Sequence, residues 1–155
     1  MQIQQLVRTE PERILVNVKN VEAATITTGM GVALVGGNAG GAASADGVSA
    51  VNLSTSAQNR QGFCGIAKGD IASNGYGLVV AWGLADSVLL SQETDKTIGI
   101  LNGAALLQAG GLAGSFTSTL AAEAISTYCG KYLYNVATAN ISSALPYSKA
   151  IVRCI

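Results

Sequence analysis

The segment GIAKGDIASNGYGLVVAWG, residues 65–83, carries five glycines, the chain's only tryptophan and one aspartate. Glycines in such number either let a phosphate approach the backbone or turn one strand into the next. Ile66, Ala67, Ile71 and Ala72 are apolar on either side of Asp70, and LVVAW (78–82) favours a strand. Between them, SNGYG places Asn74 before Gly75. Asn-Gly is the strongest short-range hairpin signal, because both residues tolerate positive φ. Asp70, four residues upstream of Asn74, is placed to cap backbone N–H groups of that turn. A nucleotide loop needs a GxGxxG run entering a helix and an acidic ribose partner beyond it, and neither follows here. The segment therefore reads as a structural hairpin. Asp70, Asn74 and Gly75 set the turn, Tyr76 and Trp82 pack, and Gly77 and Gly83 allow bends where strands meet.

Strand signals extend in both directions. In RILVNVKN (13–20), Ile14, Val16 and Val18 alternate with Leu15, Asn17 and Lys19, the period of a half-buried strand. ATITTGMGVALVGG (24–37) continues in β-branched residues, with Gly29 and Gly31 at a turn or bulge. GGNAGGAASADG (36–47) reads as a surface loop, and GVSAVNLSTS (47–56) resumes apolar alternation at Val48, Val51 and Leu53. Ser87–Leu90 and Thr97–Leu101 form two more apparent strands around SQETDK. STLAAEAISTYCG (118–130) is the best helix, with Ser118 or Thr119 capping its start and Gly130 its end. KYLYNVATANI (131–141) and SKAIVRCI (148–155) close the chain in aromatic and β-branched runs around Pro146. These elements predict a mainly β protein, an antiparallel sandwich or barrel with at most one or two short helices.

At 155 residues the chain suits an amino-terminal arm (1–13) and a single β domain (14–155). An internal echo suggests two pseudo-repeated lobes, about 14–83 and 84–155. TITTGMGVAL (25–34) aligns with TIGILNGAAL (97–106), Leu78, Val79 and Val80 fall on Ala150, Ile151 and Val152, and FCG at Phe63 matches YCG at Tyr128.

Nine basic and nine acidic residues cancel, so no net field draws in nucleic acid or an anionic membrane. Only 12% of residues are charged, about half the usual share, and 49% are hydrophobic, a balance that favours burial of surface in an assembly. The chain has no histidine, which excludes Ser/His and Cys/His triads and His-ligated zinc. Cys64, Cys129 and Cys154 show no CxxC spacing and, with the polar start MQIQQLVRTEPER, point to synthesis in a reducing cytoplasm. The carboxylate pairs Glu93/Asp95 and Glu10/Glu12 each sit beside a basic residue as solvated charges, and no GxSxG or SxxK occurs. The expectation is no enzyme, no cofactor and no metal site. Residues 97–122 are uncharged and long enough to span a bilayer, but Asn102, Gln108, five glycines and the lack of basic or aromatic flanks argue against a membrane segment.

From Ile14 to Ile155 the order of features resembles that of small tailed-phage capsid decoration, or cement, proteins with a β-tulip type fold. The resemblance is carried by VKN (18–20), TITTGMGV (25–32), the ADG loop (45–47), GFCGIAKGDIASNGYGLVVAWG (62–83) and TIGILNGAAL (97–106). Within it, Gly-x-Ala, Asp-Ile-Ala, Tyr-Gly-x-Val and Trp-Gly follow one another from Gly65 to Gly83. It implies a non-enzymatic virion protein on the capsid surface, a homotrimer that clamps the major capsid protein lattice. An arm with Ile3, Leu6 and Val7 would then add to a sheet edge by β-augmentation. The competing classes are a fibre-attachment or carbohydrate-binding module, for which Tyr132 and Tyr134 are the stacking candidates, and a membrane-active protein.

Overall fold

The computed structural model describes residues 13–35, 47–53, 62–90, 105–108, 115–117, 128–132 and 147–153. These residues form nine strands and no helix: β1 (Arg13–Asn20), β2 (Gly31–Leu34), β3 (Ser49–Asn52), β4 (Phe63–Ala67), β5 (Tyr76–Leu89), β6 (Ala105–Gln108), β7 (Phe116–Thr117), β8 (Tyr128–Tyr132) and β9 (Tyr147–Arg153). The mainly β expectation holds, and the first strand has the bounds its alternation predicts. The apparent strand at Ser87–Leu90 is the end of the 14-residue β5, capped by a bridge at Leu90. The helix expected over residues 118–130 is corrected at its end, since Tyr128, Cys129 and Gly130 lie in β8. Long-range pairing with β6 and β9 overrides a weak local preference there. The rest of that segment, the arm at 1–12 and the apparent strand at 97–101 lie outside the described residues.

The strand order is β1-β3-β2-β4-β5-β9-β8-β6-β7, and β1 also pairs with β5, closing the first five strands into a barrel. Only the pairing of β1 with β3 is parallel within it. The closed ring removes the open edges a five-stranded sheet would otherwise present. Val79 and Val80 lie opposite Val16 and Leu15 of β1 on one side and Ala67 and Ile66 of β4 on the other. Trp82 and Gly83 lie opposite Ile14 and Arg13 on one side and Arg153 and Val152 of β9 on the other. One edge of β5 thus serves β1, while β4 and β9 share the second.

The two halves of the sheet follow one plan. β3-β2-β4-β5 recurs as β7-β6-β8-β9. Val32 opposite Gly65 and Ala33 opposite Phe63 recur as Leu106 opposite Gly130 and Leu107 opposite Tyr128, each pair flanking a one-residue bulge. Ile66 opposite Val80 recurs as Lys131 opposite Ile151, and the parallel contact of Asn20 with Ala50 recurs as the Leu90–Phe116 bridge. Gly65 and Gly130 share even their backbone, with φ of 151° and 149°. A Cβ on Gly65 would lie 2.5 Å from the Val80 carbonyl oxygen, and one on Gly130 would run into the equivalent oxygen of Ile151. The echo that lays Val80 on Val152 is therefore one residue out of register, which in a strand exchanges the two faces.

Two clusters fill the interior. Val18, Ile26, Val32, Ala50, Ala67, Ile71 and Val79 pack inside the barrel. Ala33, Leu53, Ile66 and Val80, on its outer side, pack with Ala85, Val88, Leu90, Phe116, Ala150 and Val152 of the second half. β2 is consequently buried on both faces. Phe116 forms the joint: it meets Phe63 edge-on at 6.1 Å, and a Cβ on Gly31 would lie 2.7 Å from its ring. Aromatic pairs in this arrangement contribute about 1 kcal/mol beyond the area they bury.

Gly65→Ala should therefore destabilise the fold by about 2–3 kcal/mol, as the new methyl meets backbone in a conformation side chains avoid. Gly69→Ala, where no atom lies within 4 Å of the added Cβ, should stay within about 0.5 kcal/mol of wild type. Urea unfolding midpoints compare the two.

Candidate interaction surface

The hairpin of residues 65–83 is present, with a more elaborate tip than its turn signal implies. Ala67 pairs with Val79, and the Lys68 N–H donates to the Leu78 carbonyl at 2.9 Å. Before β5 begins, Ile71 leaves the hairpin to pair with Ile26, through two backbone hydrogen bonds of 3.0 and 2.8 Å. Both isoleucines are buried, and Gly77 leaves room for Ile71, whose side chain would lie 2.5 Å from an added Cβ. Asn20, fully buried, ties the same loop down by donating to the carbonyls of Ala24 and Ile71 and accepting from the Glu22 N–H. The turn runs from Ala72 to Gly75, whose N–H donates to the Ala72 carbonyl at 2.9 Å. Only Asn74 takes positive φ, at 58°.

Two expected roles are corrected. Asp70 does not cap its own turn: its Oδ1 accepts from the Thr28 N–H at 2.7 Å and the Thr28 hydroxyl at 2.8 Å. The Ile26–Ile71 pairing brings these two loops side by side, so Asp70 joins segments that are 42 residues apart. Tyr76 does not pack in the core; it is 65% exposed, because at the first position of β5 its side chain points out of the barrel. Trp82 is half-buried between Ile14 and Arg153 on the flanking strands. Ile3, Leu6, Val7 and Tyr134 lie outside the described residues.

Charge chemistry on this framework is sparse. The Thr28 N–H and then its hydroxyl hold the Asp70 carboxyl below the usual range. Burial pushes the Cys64 thiol up to about 12, and its Sγ donates to the Val32 carbonyl at 3.4 Å. Cys64 is the extra residue of the β2–β4 bulge. Burial also raises the Glu22 carboxyl, against a hydrogen bond from the Asn52 backbone. A cleft of about 130 Å³ lies between β1, β4 and β5, with Ile66, Val80 and Ala85 among its walls. Arg13 and Asp86 meet across it at 2.7 Å and neutralise each other, leaving Lys68 as the remaining charge on its lining. Among the described residues, no group of three or more His, Cys, Asp or Glu is placed to hold a metal ion. Among the described residues, no helix is long and apolar enough to cross a membrane.

The outer surface carries more apolar matter than the cleft. Leu15, Tyr76 and Leu78 are exposed on the outside of the β1–β5 pair. On the other side of the sheet, Ile14 lies opposite Trp82 and Leu84 opposite Ile151. Cross-strand partners share a face, as do residues two apart along a strand, so these four form one strip. Ile14 and Ile151 are 50% and 45% exposed. A signal for Ile14 and Leu15 exists in RILVNVKN, which is apolar on both alternating faces at its start although only one face can enter the barrel. Nothing local marks Ile151, which sits between Ala150 and Val152 in an apolar run. No family model, no curated protein and no solved structure matches the chain.

Two outcomes follow. Hydrogen bonds that lower the folded pKa of Asp70 stabilise the fold above the unfolded value of about 3.9, and this contribution is lost as pH falls through the folded value. Asp70→Ala should be less stable than wild type in urea at pH 7, with the gap closing below about pH 4. Cys64 should resist iodoacetamide at pH 8 in the folded protein. Mass spectrometry of Cys64→Ala should show an unchanged number of modified thiols in the native protein and one fewer in urea.

Proposed function

We propose that this chain is a structural virion protein that decorates an icosahedral capsid, binding the outside of the major capsid protein lattice as a homotrimer and stabilising it. In this reading it is synthesised in the host cytoplasm, acts on the virion surface, and requires neither catalysis, cofactor, nucleic acid nor membrane. The resemblance carried by Gly65–Gly83 motivates it. The observation that supports it best is a closed barrel, locked to a second half through Phe116, that leaves large apolar side chains exposed on rigid outer strands. Contiguous apolar surface of this kind is what subunit and lattice contacts use. Rigid strands lose little entropy on docking, and several shallow contacts per oligomer multiply into avidity. The arm bearing Ile3, Leu6 and Val7 precedes β1 directly and would anchor on a capsid sheet edge.

Exposed Tyr76 favours a second reading, a carbohydrate-binding module of the virion surface, since an uncovered ring can stack on a sugar. Co-sedimentation separates the classes. Decoration predicts saturable binding to expanded phage heads, at a copy number that follows lattice symmetry, with reduced occupancy after deletion of residues 1–10. Binding to empty liposomes alone, or to a glycan array in a manner abolished by Tyr76→Ala, would replace this reading with the membrane or carbohydrate one.

A further inference from the structure

We infer that the strip formed by Ile14, Trp82, Leu84 and Ile151 is the docking surface for a second copy of this chain, through a contact between unlike faces. The strip is continuous with the inside of the barrel. Ile14, Val16 and Val18 share one face of β1, and Val18 is fully buried in the barrel core. The same face passes from Ile14 to Trp82 across the β1–β5 pairing, then to Leu84 and across to Ile151 on β9. A core-like face thus runs beyond the barrel rim into the open. β9 alternates without exception, Ser148, Ala150 and Val152 buried and Tyr147, Lys149, Ile151 and Arg153 exposed. Ile151 is therefore held outward by the register of its whole strand.

The occupant is identified by the repeated plan. Val80 in the first half and Ile151 in the second hold the same position: each lies opposite the residue after the bulge glycine, and its carbonyl oxygen covers that glycine. Val80 is 3% exposed, because the second half of the chain packs over it through the cluster of Phe116, Ala150 and Val152. Among the described residues nothing does the same for Ile151, at 45% exposure. The contact that buries Val80 joins two different faces, so within one chain it is satisfied at one half and unfilled at the other. Contacts of this heterologous kind are completed by another copy and close into rings when the rotation permits. The residue types agree, since Trp82 and Arg153 are cross-strand neighbours on this face. Trp and Arg are the side chains most enriched where binding energy concentrates.

This deepens the self-association in the proposed function and rests on that part alone; mass is read with no capsid present, so failure to bind heads leaves it untouched. The test uses the full chain. Sedimentation equilibrium should give a multiple of the 15.6 kDa chain mass, and emission from Trp82, the only tryptophan, should shift to the red as dilution separates the copies. Ile151→Lys should weaken association by at least about tenfold, because it places an unpaired charge in the contact. Its emission should match that of dilute wild type, with far-UV circular dichroism unchanged. Leu78→Lys, on the opposite face, should keep the wild-type mass. If Ile151→Lys fails to fold, Arg153→Glu at the edge of the same strip replaces it with the same expectation. A single-chain mass for wild type at about 100 μM, wild-type association in a folded strip variant, or dissociation caused by Leu78→Lys would each overturn the inference.

Discussion

The fold depends on β5 having both of its backbone edges occupied. A strand of 14 residues is long for a small domain and exposes many peptide groups, each costly if buried without a partner. Here β1 takes one edge, and β4 and β9 divide the other. The first arrangement closes a barrel, and the second attaches the remaining strands to it. If β1 were removed, the barrel would reopen at Tyr76–Gly83, and Val79 and Ile71 would lose one wall of their core.

Repetition explains how the second half is held. In each half a glycine follows a bulged cysteine and lies against the carbonyl of the neighbouring strand, an approach that a side chain would block. The bulge lets β4 and β8 bend sharply, since the extra residue increases local twist. The halves are then pressed together by hydrophobic burial, with Phe116 lodged against Gly31, Leu53 and Phe63. Polar contacts play a smaller and more local part. Asn20 and the Asp70–Thr28 clamp fix the loops around Ile26 and Ile71, while the Arg13–Asp86 ion pair, with Asp86 53% exposed, contributes at most about 1 kcal/mol.

This distribution bears on function. Burial and backbone geometry account for most of the conspicuous residues of the Gly65–Gly83 segment: Gly65 passes under a carbonyl, Gly77 accommodates Ile71, and Asp70 bonds Thr28. What remains unexplained by folding is apolar surface on outer strands. Strands of fixed register present that surface as a defined shape, which the proposed role would use.

Strand identity was legible because it is written in near neighbours. Alternation in RILVNVKN marked β1, and Asn-Gly marked the turn before β5; FCG and YCG showed an internal echo, but that Gly65 and Gly130 sit at equivalent bulges appeared only in the pairing. The partner of Asp70, the exposure of Tyr76 and the uncovered state of Ile151 were not legible. Each depends on which distant strand lies alongside, and the internal echo that laid Val80 on Val152 is one residue off the equivalence of Val80 with Ile151, enough to exchange faces. The end of the helix expected near Gly130 was not legible for the same reason, since Tyr128, Cys129 and Gly130 pair with β6 and β9. By itself, the sequence determined a mainly β chain and the turn before β5, because short-range sterics and side-chain period decide those. Only the tertiary structure decided which apolar side chains are core and which are surface, because burial is a property of strands brought together from opposite ends of the chain.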